Sequence, residues 1–161
     1  MKKKLCFVLL ASSMMFGCSQ SMWLHPLKGP LAAQTPPPVL TAKFTGNRSG
    51  SISITLSDGE VCKGRWARVP YLKTPRGAFK VHASTTDDMS SAWDAVNFPG
   101  FYKSNVLNAN FYAQAVVSGN RGSVLHLEMY QESTTNVGFS PDSGVAKDDK
   151  GNIYKMNYDS L

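Results

Sequence analysis

Residues capable of nucleophilic chemistry are few in this chain. Beyond the first eighteen residues the sequence has one cysteine, Cys62, and three histidines, of which His82 and His126 are candidate bases. A cysteine hydrolase needs a thiol with a lowered pKa beside a histidine. Cys62 lies in an alternating, strand-like segment without the flanking motif of such an enzyme, and His25 lies in a proline-rich stretch. The pattern therefore favours a buried, structural Cys62.

The carboxylates give no clearer catalytic or metal signal. Asp87 and Asp88 are adjacent, and neighbouring side chains of an extended chain point apart, which does not suit paired acid–base catalysis. The histidines lack zinc-ligand spacing. The sequence also lacks a glycine-rich phosphate loop, and the aspartates near the carboxyl end, Asp142, Asp148 and Asp149, lack the calcium-loop pattern. We therefore predict no catalytic residues, no metal and no cofactor.

A basic strip is the one electrostatic feature that suggests binding. Residues 61–86 contain no aspartate or glutamate, and aromatic residues are interspersed among the cations. Such a strip suits anionic lipid headgroups, lipopolysaccharide or an acidic protein. Alternatively, the cations keep an edge strand from pairing with other chains. The strip consists of Lys63, Arg65, Arg68, Lys73, Arg76 and Lys80.

The amino-terminal segment has the pattern of an export signal. Residues 2–4 are lysines and residues 5–16 form an apolar run too short to span a bilayer. Met15, Phe16, Gly17 and Cys18 then resemble the lipobox of bacterial lipoproteins, with Met where Leu is usual. An ordinary secretory signal, with Cys18 as a plain thiol, is the alternative.

The lipoprotein resemblance implies a modification and an address. It implies cleavage between Gly17 and Cys18, a diacylglyceryl group on the Cys18 thiol, and a further fatty chain such as palmitate on the new amino group. Each buried methylene contributes about 0.8 kcal/mol, so two or three chains hold a protein on a membrane. Ser19 stands where aspartate would imply inner-membrane retention, so we expect the periplasmic face of the outer membrane. The inner membrane or secretion are the alternatives.

Cleavage would leave a single-domain length with modest charge. Removing residues 1–17 takes three lysines from a chain of 161 residues and net charge +6, which leaves 144 residues with a charge of +3. That charge is low for a dedicated nucleic-acid-binding protein, and we predict no nucleic-acid partner. Five of the nine prolines lie between residues 19 and 39. We therefore predict a signal over 1–17, a lipidated cysteine with a proline-rich tether over 18–38, where Trp23 and Leu24 could meet the lipid interface, and one domain over 39–161.

The domain itself is predicted to be all-β. Apolar residues alternate with polar ones in most segments, and glycine-containing turns separate them. Seven or eight antiparallel strands with at most one short helix, at 90–96, favour a curled sheet, open barrel or sandwich. This style is similar to that of small exported β domains of bacterial lipoproteins. The predicted strands are 40–44, 51–56, 61–69, 78–83, 111–118, 123–130, 144–147 and 152–158.

Together these features predict a membrane-anchored envelope lipoprotein whose β domain is a non-enzymatic binding or structural module. Its partner would be an envelope protein or an anionic polymer, with the membrane reached through the lipid on Cys18. The alternative is an enzyme that acts on envelope polymers with Cys62 and a histidine.

Overall fold

Eight antiparallel strands form a closed barrel in the computed structural model, which describes residues 19–69, 83–106, 111–131 and 143–157. Each strand pairs with the next along the chain, and the last pairs with the first, so the barrel has up-and-down topology. The all-β prediction with one short helix is confirmed, and the sheet is closed. The strands are β1 (Ser19–Lys28), β2 (Leu40–Thr45), β3 (Ser49–Thr55), β4 (Val61–Val69), β5 (Phe111–Gly119), β6 (Val124–Gln131), β7 (Ser143–Asp148) and β8 (Ile153–Asn157).

Side chains fill the barrel interior. Alternate residues of each strand point inward, and the largest of them, such as Trp66, Tyr154 and Phe44, are at most 1% exposed. Gly50 pairs with Trp66 across β3 and β4, and a Cβ atom at Gly50 would lie 3.0 Å from the indole Nε1 and overlap the carbonyl oxygen of Thr45. The glycine thus leaves room for the indole, whose Nε1 donates to that same carbonyl at 2.9 Å. The described interior is therefore a packed core.

The predicted tether over residues 18–38 is wrong for residues 19–28, which form strand β1. Residues 19–28 pair with β2 on one side and with β8 on the other, so they close the barrel. Met22 and Leu24 are fully buried in the core, which places Leu24 away from any lipid, whereas Trp23 is half-buried on the outer face. Pro26 fits because the register shifts between it and Lys28, where a bulge tolerates a missing donor. Only residues 29–39 remain as a proline-rich loop.

The helix of the middle segment is longer in the structure than the sequence predicted. The helix α1 spans Ala83–Val96 and a π-helical turn follows at Tyr102–Val106, so the helix begins seven residues before the predicted start at residue 90. The serines at 90 and 91 are interior and not caps. The predicted strand 78–83 lies outside the described residues except for Ala83, which is helical.

The helix packs against the outer face of the barrel and forms a second core. Trp93 stacks on Phe101 with ring centroids 5.8 Å apart and meets Tyr130 edge-on at 5.5 Å. Val145, on the outer face of β7, is fully buried under this cluster. Apolar side chains therefore lie on both faces of β7, which hides its strand periodicity in the sequence.

The two ends of the barrel are formed by different segments of the chain. The Ser19 rim, as we name it, comprises Ser19, the turn 46–48 and the neighbouring strand ends Ala67–Val69 and Asn157. The far rim comprises the loop 29–39 and the turns 56–60, 120–123 and 149–152. Both chain termini of the described barrel lie at the Ser19 rim, because an even number of antiparallel strands returns the chain to its starting end.

Candidate binding surface

Cys62 and His126 lie on opposite faces of the barrel wall. Cys62 points into the core with no exposed surface, whereas His126 lies on the outer face of β6 in register with Lys147. Burial raises the pKa of the Cys62 thiol, and the nearby carboxylate of Glu60 raises it further. The structure therefore does not place His126 beside Cys62 as a base. It also favours the protonated thiol over the thiolate that a nucleophile requires.

The other histidines do not complete a catalytic group within the described residues. His25 belongs to β1, where it pairs with Lys155 across the seam to β8. Its Nε2 atom is buried and has no hydrogen-bond partner in the described structure, as is also true of Asn157 Oδ1 on the same seam. His82 lies outside the described residues, as do Cys18 and Gly17. The side chains of Asp87 and Asp88 are not described.

Two cations of the basic strip project from the middle of the outer wall. Lys63 and Arg65 alternate with the buried Cys62 and Trp66 along β4, and both are exposed. Arg68 is exposed at the Ser19 rim, while Lys73, Arg76 and Lys80 lie outside the described residues. The strand β4 pairs with β3 and β5 along its length, so these cations do not protect an edge. The alternative role predicted from the sequence, protection of an edge strand, is therefore excluded for Lys63 and Arg65.

On β3, the neighbours of these cations are hydroxyl-bearing residues. Lys43 on β2 and Lys63 on β4 both pair with Ser53 of the intervening strand, so their backbones lie about 10 Å apart. One row above, Arg65 pairs with Ser51, whose hydroxyl shares a hydrogen bond of 2.7 Å with Thr45. The five strands β1–β5 contain no aspartate or glutamate. We call the outer face formed by Lys43, Thr45, Ser51, Ser53, Lys63 and Arg65 the basic wall.

Sequence reasoning missed Lys43 as part of this surface. It lies twenty residues before Lys63 and outside the acid-free stretch 61–86 that defines the strip. Only the pairing of β2 with β3 and of β3 with β4 places it there. The available sequence signal was the alternation itself, since Lys43 occupies the polar phase between Ala42 and Phe44.

A shallow groove adjoins the basic wall. It encloses about 460 Å³ between β2, β3 and the end of the proline-rich loop. Lys43 and Ser53 line it together with Thr41 and Thr55, while Pro38 and the exposed Val39 form an apolar side. Hydroxyl donors, one cation and an apolar side suit a polar or anionic chain better than a compact apolar ligand.

Buried acidic groups at the far rim serve turns. Asp148 accepts hydrogen bonds from the Asn152 amide nitrogens and from the Tyr154 hydroxyl, the last at 2.7 Å. Burial and the Asp148 carboxylate raise the pKa of Tyr154 far above its usual value. Glu60 accepts from the Ser123 hydroxyl at 2.7 Å, which, with the backbone donors of Ser123 and Arg121, lowers the pKa of Glu60. Asp148 is thus satisfied by its own turn and by β8, and Glu60 is satisfied by the neighbouring turn 120–123.

A third buried carboxylate fastens the helix to the barrel. Glu128, on the outer face of β6, is 2% exposed and accepts from Trp93 Nε1 at 2.9 Å. Its other oxygen accepts from Gln114 Nε2 at 3.1 Å. Because a buried carboxylate is stable only when hydrogen-bonded, this arrangement fixes the position of α1 on the wall. It gives Glu128 a structural role.

The described part of the chain contains neither a cluster of metal ligands nor a membrane-spanning helix. No group of three or more histidine, cysteine or acidic side chains is placed to hold a metal ion. No helix there is long and apolar enough to cross a membrane.

Comparison of the chain with protein-family models, with curated proteins and with solved structures found no match. The fold and the basic wall are therefore the basis for a functional assignment.

Proposed function

We propose that this protein is an envelope lipoprotein in which a lipid on Cys18 anchors a β-barrel to the periplasmic face of the outer membrane. The barrel acts as a non-enzymatic binding module, and its ligand is an anionic polymer of the envelope. The anchor is supported by the signal pattern and by the lipobox-like residues that end at Cys18. The ligand class is supported by the basic wall.

The observation that carries the ligand class is the absence of acidic residues from β1–β5. Lys43, Lys63 and Arg65 therefore face no carboxylate on their own or neighbouring strands in this half of the barrel. Their potential extends over a continuous surface, and the hydroxyls between them donate hydrogen bonds to phosphate, sulfate or carboxylate oxygens. A repeating polyanion meets several of these groups at once.

The packing of the barrel supports an external ligand. The interior of an eight-stranded barrel holds either its own side chains or one small ligand. Here Met22, Ile54 and Leu127 are at most 1% exposed and fill the middle of the barrel. Binding on the wall needs no opening of this core.

Binding to a soluble polyanion tests this function. We expect the purified lipoprotein in detergent to bind dextran sulfate in a salt-dependent manner and not to bind uncharged dextran. The triple variant Lys43→Gln, Lys63→Gln and Arg65→Gln should weaken binding about tenfold, since exposed charge pairs contribute about 0.2–1 kcal/mol each. Isothermal titration at two salt concentrations measures both effects.

A charge-matched control separates the wall from net charge. The variant Lys28→Gln, Lys150→Gln and Lys155→Gln removes the same charge from the far rim and from β8. It should retain most of the affinity. Equal losses of affinity in the two variants would show that binding depends on net charge and not on the basic wall. Absence of binding by the wild type would reject the polyanion assignment.

A further inference from the structure

The topology fixes where an acyl group on Cys18 would meet the barrel. Ser19 is the first residue of β1, and it pairs with Thr45 beside the turn 46–48. Cys18 is bonded directly to Ser19, and consecutive Cα atoms are about 3.8 Å apart, so an acyl group on Cys18 would be attached one residue before this rim. No tether separates the lipidated residue from the barrel. The rim that carries Ser19 must then lie next to the membrane surface.

The Ser19 rim also has the charge that suits this position. Arg48 and Arg68 are both exposed there, and the Arg68 backbone nitrogen donates to the Arg48 carbonyl oxygen at 2.9 Å. The two arginines are therefore neighbours. The described strand ends of this rim and the turn 46–48 contain no acidic residue. At the far rim the exposed Asp58 and Asp149 lie among the exposed cations Lys28, Arg121 and Lys150, so that rim carries both signs of charge.

We propose that the Ser19 rim is a membrane-contacting surface whose arginines bind the phosphates of anionic lipid headgroups. This inference rests on the lipid anchor of the proposed function. Guanidinium groups bind phosphate oxygens through paired hydrogen bonds, which makes arginine suited to headgroups. The barrel stands with its strands running away from the membrane, and the far rim points into the periplasm. The basic wall then rises from the membrane surface beside it.

Depth-dependent quenching tests the orientation. The full lipoprotein is placed in vesicles of phosphatidylethanolamine and phosphatidylglycerol with brominated acyl chains. A fluorophore is attached through Asn47→Cys at the Ser19 rim or through Ser57→Cys at the far rim; both parent residues are exposed. The buried Cys62 stays unlabelled, and the wild type serves as the labelling control. We expect quenching several-fold stronger at position 47 than at position 57.

The arginine contact has its own test in the same vesicles. Replacing phosphatidylglycerol with phosphatidylcholine should reduce quenching at position 47, and Arg48→Gln with Arg68→Gln should produce the same reduction in anionic vesicles. The control variant Lys28→Gln with Lys150→Gln, at the far rim, should leave quenching unchanged. If quenching at position 47 changes neither with the headgroup nor with the two arginine substitutions, the headgroup contact is overturned. The lipid anchor alone would then hold the rim near the membrane.

The remaining outcomes are distinguishable. Intact mass spectrometry of each preparation shows whether a lipid is present on a chain that begins at Cys18. With the lipid present, equal quenching at the two positions, or stronger quenching at position 57, would overturn the orientation alone. A chain without lipid would overturn the anchor of the proposed function and this inference with it.

Discussion

At the scale of single residues, the environment of Cys62 decides between a reactive and a structural thiol. Its side chain lies in the core beside Glu60, and both burial and that carboxylate raise the pKa of the thiol. The thiolate is the nucleophilic form, so a protonated, enclosed thiol is inert at neutral pH. The same thiol would become reactive once the core opens.

We therefore predict that Cys62 of the folded protein reacts with iodoacetamide at neutral pH only at the rate of global unfolding. A Ser57→Cys variant, with its thiol at an exposed position, should react several orders of magnitude faster. Mass spectrometry over time measures both rates. Rapid alkylation of Cys62 in the native state would revive the enzyme alternative.

Glu128 illustrates how a buried charge can be structural. It lies in the outward phase of β6 between Leu127 and Met129, where the sequence pattern indicates a solvated side chain. The helix covers it, and the Trp93 indole and Gln114 amide supply its hydrogen bonds. Leaving such a group without a partner costs about 1–3 kcal/mol, more for a charge, so these contacts hold α1 in place.

At the scale of elements, β1 determines whether the sheet is a barrel. Without it, β2 and β8 would each present an unpaired edge, because β1 is the partner of both. Met22 and Leu24 would also leave the core, and losing one buried Leu or Met side chain costs about 2–5 kcal/mol. The sum is comparable to the whole stability of a small domain, about 5–15 kcal/mol.

We predict that a chain of residues 39–161 does not fold, whereas residues 19–161 fold cooperatively. Within β1, Leu24→Ala should lower the free energy of unfolding by about 2–5 kcal/mol, while Leu27→Ala, at a position 46% exposed, should change it by less than about 0.5 kcal/mol. Urea titration followed by circular dichroism measures these differences. Equal, negligible effects of the two substitutions would contradict the pairing of β1 and support a flexible tether over these residues.

At the scale of the whole molecule, charge is divided along the chain and around the barrel. Strands β1–β5 carry cations without acids, and the described acids lie in α1, in β6 and β7, and in turns of the far rim. This division gives the molecule a basic wall on one side and a basic rim at the end where the chain enters. Both surfaces suit anionic partners, and their relation to the membrane depends on the anchor.

The anchor is tested by the mass of the whole protein. We predict that the protein extracted from membranes begins at Cys18 and carries a diacylglyceryl or triacyl mass increment. Expression of Cys18→Ala should give a protein without that increment that no longer fractionates with membranes. An unmodified wild-type chain cut at another residue would show an ordinary secretory signal instead.

The sequence by itself determined the fold class and most strands. Local alternation, as in Ile52 and Ile54 or Leu125 and Leu127, depends only on which side of a strand is buried, and the turns depend on glycines that adopt positive φ, such as Gly59 and Gly122. These signals are local, so they survive without knowledge of the partner strands. They predicted seven of the eight strands to within two residues, and they placed Cys62 in the core.

The tertiary structure alone decided closure, β1, the helix and the composition of the basic wall. The prolines at and after residue 26 predicted an irregular tether where β1 lies. The strand forms because it pairs with β2 and with β8, which is more than a hundred residues away. The length of α1 and the burial of Glu128 depend on packing against the outer wall. Lys43 joins Lys63 and Arg65 only through strand register. Each is a long-range contact, and the local pattern of residues does not specify such contacts.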